Sequence, residues 1–155
     1  MTAPTRTTTT TAELPGLVGQ QLGTSDWLEV TQERVDTFAE ATGDHQWIHV
    51  DPERAKKESP FGGPIAHGYL TLSLVPSMIP EIVDMQGFRM GVNYGTDRVR
   101  FPSPVPVGSR LRAGAVLDEA RLVEGGVHLQ LTVTLEVEGA EEPCCVATVL
   151  VRRYL

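Results

Sequence analysis

From Val127 to Val137 the chain alternates without a lapse. Val127, Leu129, Leu131, Val133, Leu135 and Val137 are apolar, and His128, Gln130, Thr132, Thr134 and Glu136 between them are polar. A period of two places the first set on one face of an extended strand and the second on the other. A strand of this length, with one apolar and one wet face, belongs in an antiparallel sheet that covers a core. Leu111, Ala113, Ala115 and Leu117 repeat the pattern upstream, and Pro143 to Arg153 offers a further strand. Gly91 to Phe101 reads as one more, broken near Gly95, and Gly125-Gly126 suits a hairpin turn.

The first half has a different period. Gln32 to Thr42 reads as a helix capped by Thr31, with Val30 and Val35 placed as a hydrophobic staple. Val35, Phe38, Ala39 and Thr42 share one face, and Gly43 is free to take the positive φ that ends a helix. Asp44 to Val50 reads as a loop, Asp51-Pro52 as the start of a short helix to about Glu58, and Ser59 to Pro64 as a second loop. Ile65 to Ile79 is apolar nearly all the way round, which predicts one buried helix, kinked at Pro76. A buried helix followed by a long antiparallel sheet gives an α+β fold with the helix packed on one sheet face. Pattern alone leaves several such folds open, the hot-dog arrangement among them.

A chain of 155 residues fits one domain, expected over residues 14–155. The Thr-rich stretch 1–13 is expected to be a disordered tail, without the apolar core of a signal peptide or an anchor. A net charge of −7 argues against nucleic acid as a partner, and no apolar run is long enough to span a bilayer. Cys144 and Cys145 are adjacent in a strand-like run and read as two free thiols, which suits a reducing cytoplasm.

Chemistry concentrates in Gly43-Asp44-His45-Gln46-Trp47-Ile48-His49-Val50-Asp51, a polar stretch between two helices. A carboxylate and an imidazole separated by one turn can converge on one water and move its protons, so Asp44 and His49 are candidate catalytic residues. Spacing alone also fits a plainer reading, in which Asp44 caps a turn and His49 satisfies a backbone carbonyl. A second stretch, Phe61-Gly62-Gly63-Pro64-Ile65-Ala66-His67-Gly68, runs from a Gly-rich loop into the buried helix. Free backbone N–H groups at such a junction can hold an oxyanion, with Gly68 the candidate donor. Tight packing at Gly68 and a local hydrogen bond from His67 are the plainer alternatives. His45 and His49 have the i, i+4 spacing of metal ligands on a helix, but Gly43 and Trp47 argue against a helix there, and no metal site is expected.

Taken together these blocks resemble a known family. Phe38-Ala39-Glu40-Ala41-Thr42-Gly43-Asp44-His45-Gln46-Trp47-Ile48-His49 is similar to the hydratase-2 signature of MaoC-like, (R)-specific enoyl-CoA hydratases. Ile65-Ala66-His67-Gly68 resembles the family's second block. Asn93-Tyr94-Gly95, with Val99 to Val105 and Val107-Gly108, resembles a third. The likeness runs from about Val30 to the C-terminus and is nearest to single-domain mycobacterial-type members. It implies a hot-dog fold, usually a homodimer with sheets joined edge to edge, and water addition across a trans-2-enoyl thioester to give the (R)-3-hydroxyacyl thioester. Asp44 and His49 take the positions of the catalytic dyad, the Gly68 N–H takes the oxyanion hole, and Gln46 and His67 are expected to support the site. The thioester carrier is coenzyme A or acyl carrier protein, and no cofactor is implied. Two positions depart from the signature: Gln46-Trp47 stands where the family commonly has Asn-Pro, and Pro76 stands where some members carry a polar residue. The rival readings are a hot-dog thioesterase, disfavoured because no Asp or Glu lies between Ile65 and Pro80, and a non-catalytic acyl-binding module.

Overall fold

A computed structural model describes residues 3–155. In chain order the elements are β1 (Thr7–Thr10), a 3₁₀ turn (Leu14–Leu17), β2 (Gln21–Thr24), β3 (Leu28–Glu29), α1 (Gln32–Thr42), α2 (Trp47–Val50), α3 (Pro52–Glu58), α4 (Gly68–Ser73), α5 (Val75–Ile82), β4 (Val83–Gln86), β5 (Met90–Arg100), β6 (Arg110–Val123), β7 (Gly126–Val137) and β8 (Pro143–Tyr154). The main sheet is antiparallel and runs β2-β6-β7-β8-β5, with β3 also on β6. Its inner face wraps α4 and α5. This is the hot-dog arrangement, α+β, with the core between helix and sheet.

The alternation in β7 does what a period of two requires. Leu129, Leu131, Val133 and Leu135 are all at most 1% exposed and pack against Met78, Ile79 and Ile82 of α5 in one core. The opposite face is less wet than expected, since His128 is also buried, under the edge of the Tyr94 ring at 5.4 Å. Gly125 makes the β6–β7 turn with φ of 74°. The interruption foreseen near Gly95 is a bulge, where the β5–β8 register shifts between Asn93 and Gly95.

Three expectations are corrected. Thr7–Thr10 pairs in parallel with Val83–Gln86, Thr5 bridges Thr24, and Thr9 is 1% exposed, so this part of the supposed tail is a packed strand. Met1 and Thr2 of that segment lie outside the described residues. The buried helix is two helices. Ile65 bridges Pro106 in extended form, α4 starts at Gly68, and the break falls at Leu74. Pro76 then sits in the first turn of α5, where a missing N–H costs nothing, and so starts a helix instead of kinking one. Lastly, the Asp44 to Val50 loop contains the helical turn α2. Among the described residues no helix is long and apolar enough to cross a membrane.

Candidate active site

The site is assembled from α1, α2 and the start of α4. Thr31 caps α1 by accepting from Arg34 N–H, and Gly43 at φ 83° ends it and hands the chain to Asp44. One oxygen of the Asp44 carboxylate accepts the Gln46 N–H at 3.3 Å, and the side chain is 52% exposed. The Gln46 carbonyl accepts the His49 N–H at 3.0 Å, closing α2 and turning His49 inward. The Gln46 backbone is therefore hydrogen-bonded to both Asp44 and His49.

His49 is buried, and its Nδ1 lies 2.6 Å from the Ile65 carbonyl oxygen. A carbonyl can only accept, so Nδ1 carries the proton and Nε2 keeps its lone pair. The strand-like bridge of Ile65 fixes that carbonyl, because Ile65 N–H donates to Ile48 and Ala66 N–H to Val105. From the other side Gln32 Nε2 donates to the His49 carbonyl at 2.7 Å. Burial holds the His49 pKa below the ordinary 6.5. The charge of His67 adds to the lowering, while the Ile65 hydrogen bond and the Asp44 carboxylate oppose it.

His67 lies under His49, with ring centroids 3.9 Å apart and planes at 27°, and Phe38 closes the stack at 4.9 Å from His67. His67 Nε2 donates to the Asp44 backbone carbonyl at 3.0 Å and stands 4.0 Å from its carboxylate, while Nδ1 is buried with no partner among the described residues. One nitrogen or oxygen from each of Asp44, His49 and His67 lies within 4.8 Å of the other two. Two hydrogen bonds span such a gap, so a carboxylate and an imidazole can hold one water between them.

A carboxylate with two imidazoles is also a donor set of the kind that binds zinc. Here the His67 nitrogen facing Asp44 must be protonated to serve that carbonyl, which removes its lone pair from ligation. The i, i+4 partner considered from sequence, His45, stays exposed beside Glu40 at 3.5 Å and does not join the group.

Gly68 follows His67 directly and opens α4, whose first amides have no helical carbonyl to bond. A Cβ at Gly68 would sit 2.9 Å from the Phe101 ring, so the backbone is approached more closely than any side chain permits. A cavity of about 330 Å³ opens beside it, walled by Ala66, Thr71, Phe101, Val105 and Cys144. Burial pushes the Cys144 thiol up to about 12, which makes it an inert wall.

Asp44, His49 and His67 thus converge, with Gly68 next to His67 in the chain. Both plainer roles also exist, since Asp44 does cap a turn and His49 does satisfy a carbonyl, but each of these uses one polar atom and leaves another. Sequence reasoning missed Gln32, Phe38 and the Ile65 carbonyl. Gln32 and Ile65 act on His49 across 17 and 16 residues of chain, and neither carries a local signal. Phe38 stood in the quoted motif without a role.

Residues 13–139 match the family model described as the MaoC like domain. The 3-hydroxyacyl-thioester dehydratase Z of Mycobacterium tuberculosis is 49% identical, over 95% of this chain and 97% of that protein. Nodulation protein N of Rhizobium leguminosarum bv. viciae is 51% identical, over 88% of this chain and 86% of its own length. Among solved structures, the (R)-hydratase from A. caviae superposes with a TM-score of 0.69 at 24% identity, covering 86% of this chain and 94% of that one, which supports the fold. With a family match over most of its length and relatives near half identity, the chain belongs to the MaoC-like domain family.

Proposed function

We propose that this protein is a hydratase and dehydratase that interconverts trans-2-enoyl thioesters and (R)-3-hydroxyacyl thioesters. The relative named a 3-hydroxyacyl-thioester dehydratase supports that class. The observation that carries the mechanism is His49, tied through Nδ1 to Ile65 so that Nε2 keeps its lone pair, in one group with His67 and the Asp44 carboxylate. In the hydration direction the Gly68 N–H donates a hydrogen bond to the thioester oxygen as negative charge grows on it, which makes the β-carbon electrophilic. Asp44 and His49 hold one water and take its proton as its oxygen bonds that carbon. The proton is then delivered to the α-carbon, so one O–H bond and the C=C π bond are exchanged for C–O and C–H bonds. Proton transfer and polarisation suffice, and we assign neither a metal nor a redox cofactor. Hydration of a graded series of enoyl-CoA thioesters by the purified chain, with product chirality read out, tests this. (R)-3-hydroxyacyl product is expected, and hydrolysis to free acid in its place would establish the thioesterase. That rival has no acid on the helix pair from Gly68 to Pro80 to support it, and Glu81 accepts the Asp26 N–H.

We infer a homodimer formed along β5. That strand pairs only with β8 among the described residues, and Met90, Val92 and Tyr94 on it are more than 40% exposed. An unpaired apolar edge of this kind is a template for a second strand. A light-scattering mass of one chain at micromolar concentration would overturn it. Two buried free thiols, Cys144 and Cys145, suit a cytoplasmic location.

A further inference from the structure

Val149, Val151 and Arg153 are alternate residues of β8, so all three face the helix side of the sheet. The first two are apolar, as a core face requires, and the third is an arginine. It borders a cavity of about 430 Å³ between α5 and the β5–β8 strands, whose apolar wall includes Leu72, Val75, Pro76 and Ile79. Leu72 lies one helical turn beyond Gly68 in α4, roughly 6 Å along its axis, and Val75, Pro76 and Ile79 belong to α5 after the break at Leu74. The cavity therefore starts near the amide assigned to the thioester oxygen and extends away from it.

Arg153 is the single charged residue among those lining this space, and no Asp or Glu accompanies it. Its Nε is buried with no hydrogen-bond partner among the described residues. The facing strand has been cleared for it, since a Cβ on Gly91 would meet its guanidinium at 2.6 Å. A guanidinium whose Nε is buried without a partner carries a desolvation cost that a bound acceptor would offset. A guanidinium offers two parallel N–H donors that match a carboxylate.

We propose that this cavity holds the acyl arm and that Arg153 binds a carboxylate at its far end, so that the preferred substrates are enoyl thioesters with an ω-carboxylate. This rests on the hydratase reading and specifies its substrate. The bond changes are those already given, and the distal carboxylate takes no part in them.

The test pairs the mono-CoA thioester of trans-2-decenedioic acid with trans-2-decenoyl-CoA, along with shorter and longer homologous pairs. A site built to hydrogen-bond a group rejects the analogue that lacks it, so at least about a tenfold preference in kcat/KM for the carboxylate form is expected at the best length. Arg153→Met should reduce that ratio to about one or reverse it. Gly91→Ala, which displaces only the end of a flexible side chain, should lower the ratio while the fold is kept. Equal rates for both members at every length, or a ratio unmoved by Arg153→Met, overturns the inference and leaves the hydratase standing. If no enoyl thioester is hydrated, titration calorimetry with the saturated pair decides. Tighter binding of the carboxylate form that is lost in Arg153→Met upholds the cavity assignment and removes the hydratase reading, and equal binding removes both.

Discussion

The sheet interior and the Gly43–Gly68 segment sit in one small fold and obey different rules. In β7 every second side chain from Val127 to Val137 is apolar, β6 keeps that alternation from Leu111 to Leu117 and β8 from Cys145 to Val151, the backbone is paired in ladders, and position follows from period. In the site segment no such period holds, and two of its histidines, His49 and His67, are buried while His45 is exposed. The two buried rings are those in the site. Each is held by a backbone carbonyl supplied from a distant part of the chain. The sheet owes its stability to area removed from water, and the site owes its reactivity to polar atoms that the fold leaves uncommitted. Mutations in the two regions should therefore separate stability from turnover.

The largest effects make that contrast. Leu131→Ala in β7 removes a side chain 1% exposed and should cost about 2–5 kcal/mol of stability, with turnover per folded molecule near wild type. His49→Ala should lower turnover at least about a hundredfold, with a smaller stability loss of about 1–3 kcal/mol from the orphaned Ile65 carbonyl. Chemical denaturation and initial rates on both variants check this. Comparable losses of stability and turnover in both would break the comparison.

A smaller effect is expected at Gln32, which touches no substrate but pins the His49 carbonyl. As a positioning residue its loss in Gln32→Ala should reduce kcat about tenfold with KM little changed, and Gln32→Glu should restore less than the amide, because a carboxylate cannot donate. The subtlest is pH dependence. Burial lowers the His49 pKa, so the imidazole stays neutral to a lower pH than usual, and the acid limb of kcat/KM should fall below 6.5. The linked stability has the same sign. The unfolded chain takes up this proton first, so stability present above pH 6.5 is lost as pH falls through the lowered value. An acid limb at or above 6.5 would show that His49 is not the titrating base.

Legibility in the sequence follows the same division. The ends of α1, its Thr31 cap and its Gly43 terminator were readable because capping is local chemistry. β6, β7 and β8 were readable because burial on one face imposes a period. The short strands β1 to β4 gave no period, and Thr7–Thr10 reads as polar tail until β4 pairs with it. Pro76 was misplaced in effect because a proline breaks a helix interior but suits a first turn, and the sequence does not say where the turn begins. Asp44, His49, His67 and Gly68 stood out as residue types in motifs. Asp44 and His49 were expected to share one water, but the stacking of His67 on His49 and the Ile65 and Asp44 carbonyls that hold the two rings were not legible.

The central claim is that Asp44 acts with His49 on one water. Asp44→Asn tests it most directly, because its side chain is half exposed, its turn-capping oxygen survives as an amide, and only charge and proton capacity are lost. Turnover of crotonyl-CoA and longer enoyl-CoAs and the melting temperature should be measured on the same preparation. The account predicts turnover lowered at least about a hundredfold with stability changed by under about 0.5 kcal/mol. Near wild-type turnover in Asp44→Asn would contradict it.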